Sequence, residues 1–91
     1  MSVAEAKVVI CNQKGLHARA AAAFVKCIAD TDVAVTVEKD GVEVDGSSIL
    51  SLMMLAASKG SSIKIKAIGN EAQKAIDDLI LLINNRFGEE V

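Results

Sequence analysis

The sequence predicts an α+β open-faced sandwich of order βαββαβα, with a four-stranded antiparallel sheet carrying three helices on one face. Three observations predict it. Apolar residues recur with period two in some segments and at spacings of three and four in others, and the two kinds of segment interleave along 91 residues. The strand-like segments alternate rather than being apolar throughout, which suits a sheet with one face against a core and one towards water. The helix-like segments carry a single apolar stripe each, and one sheet face is the economical place to bury them all.

Taken in order, Lys7-Val8-Val9-Ile10-Cys11 reads as a strand, β-branched and polar-flanked, and Asn12 to Gly15 as a polar loop. From Ala18 to Asp30 the pattern is helical, rich in alanine, with Ala21, Phe24, Val25 and Ile28 on one face. Val33-Ala34-Val35-Thr36-Val37 is a strand, Asp40-Gly41 a turn pair suited to a tight hairpin, and Val42-Glu43-Val44 the returning strand. A short helix is expected from about Ser48 to Ala57, stopped by Lys59-Gly60. Ser62 to Ile68 opens with the clearest period-two alternation in the chain. The last helix is expected to start at an Asn70 cap with Gln73 as its reciprocal partner, and to bury Ala72, Ile76, Leu79, Ile83 and Phe87.

Length and composition narrow the function. A chain of 91 residues is expected to be one domain, residues 1–91, since domains mostly run from about 50 to 250 residues. Net charge is −2 with mixed signs, and only Phe24 and Phe87 are aromatic, so neither the basic stripe nor the stacking platform of a nucleic-acid binder is present. No apolar run approaches the roughly 20 residues of a membrane span, and Met1 to Lys7 lacks the plan of a signal peptide, so a cytoplasmic protein without membrane insertion is expected. Cys11, Cys27 and the single histidine have no metal-ligand or redox spacing; reduced, packed cysteines, no metal and no cofactor are expected.

The residues that carry chemistry are Lys14-Gly15-Leu16-His17-Ala18-Arg19, where a loop meets the first helix. There the first backbone N–H groups lack helical partners and the dipole favours negative charge. Gly15 permits unusual backbone angles just before His17. Arg19 has the planar fork best suited to an oxyanion. His17 and Arg19 are thus the candidate catalytic pair, with Gly15, Ala18 and Arg19 as candidate phosphate-binding positions. Taken by itself, His17 could equally be a polar cap or a solvated surface residue.

Gly15-Leu16-His17-Ala18-Arg19 followed by Ala21 and an apolar helix resembles the active-site signature of the HPr phosphocarriers, and Ser48-Ile49-Leu50-Ser51-Leu52-Met53 resembles that family's regulatory-serine segment. With Lys59-Gly60 also in place, the resemblance runs from about Lys7 to Phe87. It implies a cytosolic carrier of the bacterial phosphotransferase system, itself a covalent intermediate rather than an enzyme. Enzyme I would phosphorylate Nδ1 of His17, the group would pass to enzyme IIA proteins, and Arg19 would hold the phosphoryl oxygens. Ser48 would match the serine phosphorylated, in many members, by an HPr kinase/phosphorylase. The implied carrier is a monomer, and the resemblance covers both the sugar-uptake and the nitrogen-related branch. One departure is Ala20, where the family usually has proline; alanine keeps the helix and restores one N–H donor.

The short helix carries more apolar residues than it can bury. Ile49, Leu52 and Met53 share one face and Leu50 and Met54 another, so Ile49, Leu50 and Met53 are candidates for a partner-binding patch beside His17. Ser48 could also be a plain N-cap. Two other classes compete. A small-molecule-sensing domain could share the element order but would not need Gly15, His17 and Arg19 at a helix start. An enzyme would need a base for His17, and no carboxylate stands close to it in sequence.

Overall fold

A computed structural model describes residues 2–91, leaving Met1 outside. Its elements are β1 (Ser2–Val9), α1 (Ala18–Ile28), β2 (Val33–Lys39), β3 (Val42–Asp45), α2 (Ile49–Met54), β4 (Ser62–Gly69) and α3 (Ala72–Asn84), followed by a 3₁₀ turn at Arg86–Gly88. The strands form one antiparallel sheet in the order β1-β4-β2-β3, the four-strand, three-helix open sandwich the sequence predicts.

Alternation decides which face is covered. On β4, Ile63, Ile65 and Ala67 are buried while Lys64 and Ile68 are exposed; Val35 and Val37 of β2 and Ala4 and Val8 of β1 join the buried side. Ala20, Ala21, Phe24 and Ile28 of α1, with Ala72, Ala75, Ile76, Leu79 and Ile83 of α3, close over them in one aliphatic core. Burying each of the larger side chains contributes about 1.5–3 kcal/mol. The outer face stays charged, with Glu5 opposite Lys66 and ion-paired to Lys64.

Several boundaries differ from expectation, each for a local physical reason. β1 begins at Ser2 and ends at Val9, because it pairs with β4 along its whole length, Ser2 opposite Gly69 and Val9 opposite Ser62. α1 stops at Ile28 rather than Asp30, where the Thr31 hydroxyl donates to the Ile28 carbonyl at 2.6 Å. α2 is shorter than expected: Ala56 turns left-handed (φ 51°), which ends it well before Gly60. α3 is capped by Glu71 in a left-handed conformation (φ 59°), not by Asn70, and no side chain caps it. Asn70 instead donates to Asp32 across a loop and Gln73 to Asp77 one turn on, so the expected capping box does not form. Phe87 is buried as expected but not on α3, since Arg86 and Phe87 both take positive φ and fold the chain back into the core. Cys11 and Cys27 are half-buried free thiols; Cys11 donates to the Ile83 carbonyl at 3.1 Å, and burial followed by nearby Asp78 pushes the Cys27 thiol up.

Candidate functional site

The loop before α1 is held in a fixed shape by its own residues and by the segment after α2. Gly15 has φ 67°, and a Cβ there would lie 2.4 Å from the Ala57 carbonyl oxygen, so glycine is required both by the angle and by the approach. The Leu16 N–H donates to that same Ala57 oxygen at 2.8 Å, and the Leu16 side chain is buried. Asn12 is wholly buried, and its amide nitrogen uses both protons: one on the Gly15 carbonyl at 2.8 Å, one on Oε1 of Glu89 at 3.0 Å. Two oxygen acceptors fix which end of the amide is nitrogen. Its Oδ1 has no partner among the described residues, an unpaired buried acceptor of the kind that costs about 1–3 kcal/mol.

This turn delivers His17 as the N-cap of α1, with extended backbone (φ −82°, ψ −175°). Its carbonyl accepts the first helical hydrogen bond, from the Ala21 N–H at 2.8 Å, but its side chain makes no cap. No acidic residue occupies the first turn of α1. The helix start therefore keeps its positive end free of any side-chain acceptor from His17 or an acid. The imidazole turns the other way, and its Nε2 meets Oε2 of Glu89. His17 is 28% exposed and Glu89 14%. Burial pushes the Glu89 carboxyl up, but the hydrogen bonds from Asn12 and His17 and the charge of Lys14 outweigh it and hold the carboxyl below its ordinary value.

Arg19 is exposed in the first turn of α1 and forms no ion pair among the described residues, so its guanidinium is uncommitted. It lines a cleft of roughly 330 Å³ with Lys14 and the tail from Phe87 to Val91. On the other side of the loop, Lys14, His17 and Met53 share a shallow cleft of roughly 270 Å³ with Ala56, Ala57 and Ser58. Lys14 borders both. A larger groove, roughly 660 Å³, lies between the end of α1 and β2–β3, but its walls hold Glu43 and Asp45 with no cation and no imidazole. The chemistry of the lining, not the size, makes the helix start at His17 the candidate anion site.

The structure thus gathers Gly15, His17, Ala18 and Arg19 at one helix start and brings Met53 to its edge. Ser48 is the N-cap of α2, accepting from the Ser51 N–H at 3.2 Å. Of α2, Leu52 is fully buried, whereas Ile49, Leu50, Met53 and Met54 are exposed, Leu50 by 70%. Leu52 accordingly belongs to the core and not to the face of Ile49 and Met53. Sequence reasoning missed Glu89 and Asn12, and gave Lys14 no role of its own within the segment that carries the chemistry. Glu89 is 72 positions from His17, and nothing local to either residue signals the pairing. Its carboxylate supplies the spatial neighbour that the sequence around His17 lacks.

The sequence matches the family pattern described as "PTS HPr component phosphorylation site" over residues 4–85. It is 42% identical over 80 residues to the phosphocarrier protein HPr of Cupriavidus necator, covering 88% of this chain and 90% of that protein. It is 43% identical over 84 residues to the phosphocarrier protein HPr of Pseudomonas aeruginosa, covering 91% and 93%. The fold superposes on the crystal structure of HPr-C-His from Thermoanaerobacter tengcongensis with a TM-score of 0.91 and 40% identity, over 97% of this chain and 99% of that one. A histidine at an open helix start, in a chain so matched over most of its length, leads to one assignment: the protein belongs to the HPr family of phosphocarriers of the phosphotransferase system.

Proposed function

We propose that His17 accepts a phosphoryl group from phosphorylated enzyme I on Nδ1 and passes it to enzyme IIA proteins, with the chain acting as a monomeric cytoplasmic carrier built as one unit over residues 1–91. The observation that supports this most is the N-cap whose side chain does not cap: His17 leaves the helix start without its own acceptor, and its Nε2 is already engaged by Glu89. Nδ1 is then the ring nitrogen left for chemistry. Its lone pair attacks phosphorus as the bond to the donor's nitrogen breaks, and that electron pair returns to the donor. Transfer of this kind asks mainly for positioning and charge stabilisation. The backbone at Ala18 and the fork of Arg19 provide them, with Gly15 fixing the approach.

The exposed side chains of Ile49, Leu50 and Met53 form the docking patch in this reading, next to the histidine that both donor and acceptor must reach. Ser48 is the regulatory position for an HPr kinase/phosphorylase. A phosphate on it would suit a helix start and at the same time set about two negative charges at the edge of the apolar patch.

Incubation with phosphoenolpyruvate and a bacterial enzyme I, followed by intact mass, tests the reading. The expected result is one acid-labile phosphate on the parent and none on His17→Ala. Label on the variant, or none on the parent, would refute it.

A further inference from the structure

The family pattern ends at residue 85, yet the tail from Arg86 to Val91 is no loose end. Arg86 and Phe87 turn left-handed, Phe87 drops into the core, and the tail runs back beside the loop that carries the histidine, where the Gln13 N–H donates to the Val91 carbonyl at 3.1 Å. This path sets the Glu89 carboxylate between two partners: Oε1 receives the Asn12 amide and Oε2 meets Nε2 of His17. Asn12 is wholly buried and is itself tied to the Gly15 carbonyl, so one end of the chain of contacts is anchored in that same loop.

We propose that Asn12 and Glu89 form a positioning relay that holds the His17 ring by Nε2 and keeps Nδ1 turned outward as the phosphoryl acceptor. This rests on the carrier reading above. Glu89 is a positioning residue: it acts through the imidazole and touches no phosphoryl atom. General chemistry gives it two effects. A carboxylate accepting from one ring nitrogen fixes the proton there and leaves the lone pair on the other. When Nδ1 forms its bond to phosphorus and Nε2 keeps its proton, the ring becomes cationic, and an adjacent carboxylate stabilises that charge, as a buried aspartate does for a catalytic imidazolium. When the phosphoryl group leaves, the N–P electron pair returns to Nδ1 and the ring is neutral again with the proton still on Nε2. Asn12 contributes by holding the carboxylate in place; among the described residues no ion pair other than that with His17 involves Glu89.

The test compares the parent with Glu89→Ala and Glu89→Gln by ring-nitrogen NMR of the unphosphorylated proteins and by the rate of phosphoryl uptake from enzyme I. His17 is the one histidine, so its ring signals are unambiguous. The parent should show a hydrogen-bonded, slowly exchanging Nε2–H. Glu89→Ala should stay folded with a modestly lower melting temperature, because the buried Asn12 amide loses an acceptor. It should also lose that signal and take up phosphate about 10- to 100-fold more slowly, the scale seen when the hydrogen-bond partner that orients a metal-bound histidine is removed. Glu89→Gln, whose amide oxygen can still accept, should keep the signal and recover part of the rate. A parent without a protected Nε2–H, or a Glu89→Ala protein that transfers as fast as the parent, would overturn the relay. A parent that takes up no phosphate would instead overturn the carrier reading, while the ring signal still decides whether the relay exists.

Discussion

Two helices of this molecule start with an extended polar residue at the N-cap, and they use it in opposite ways. Ser48 folds its hydroxyl onto α2 and accepts from Ser51, closing the helix on itself. His17 makes no such bond; its ring leans away to Glu89 and the first turn of α1 is left with neither a side-chain cap nor an acid. The helices behind the caps differ in the same sense. α1 buries its stripe and gives His17 a rigid base, whereas α2 is six residues long and exposes four of its larger apolar side chains. In the proposed function, the start that is finished internally offers its flank to partners, and the start left unfinished receives its missing acceptor from an incoming phosphoryl group. Stability and function are thereby assigned to different helix starts, and substitutions should separate them.

The largest effect is expected at Gly15, which holds the open start in place. Gly15→Ala forces a left-handed alanine and pushes a Cβ against the Ala57 oxygen, for a loss of about 2–4 kcal/mol in denaturant unfolding. A change below about 0.5 kcal/mol would mean that the loop is not clamped. Next comes Arg19→Lys, which keeps the charge and loses the fork; transfer should slow roughly 10- to 100-fold, about 1.4–2.8 kcal/mol in the barrier, with an unaltered melt. Equal rates would leave Arg19 as a solvated helix residue. At the closed start, Ser48→Ala should cost about 1 kcal/mol of stability and leave phosphoryl uptake on His17 intact. The smallest change in stability is expected for Leu50→Glu, within about 0.5 kcal/mol because Leu50 stands in solvent, while binding to enzyme I and enzyme IIA should weaken together. A collapsed melt with unchanged affinity of the folded fraction would place Leu50 in the core and remove the docking patch.

Features that depend on neighbours in the chain were the ones legible in the sequence. The Asp40-Gly41 hairpin is such a case: a two-residue turn with φ 52° and 83° is what that pair is chemically suited to. The single-face burial of α1, and Gly15-Leu16-His17-Ala18-Arg19 at its start, were legible for the same reason. The start of α3 was not. Asn70 is the better cap by composition, but Gly69 (φ 140°) packs against Asp32 and turns the chain so that Glu71 takes the cap position. The half of the site that orients His17 was hidden altogether, because Asn12, Glu89 and His17 meet only after Phe87 has folded the tail back.

The most direct measurement is phosphorus and ring-nitrogen NMR of the protein phosphorylated by enzyme I and phosphoenolpyruvate. The expected result is a single acid-labile phosphoryl group on Nδ1 of His17, with Nε2 still protonated against Glu89. A phosphoryl group on Nε2, or an acid-stable ester at Ser48 in its place, would contradict it, because either would mean that the free ring nitrogen and the open helix start are not where the phosphoryl group is received.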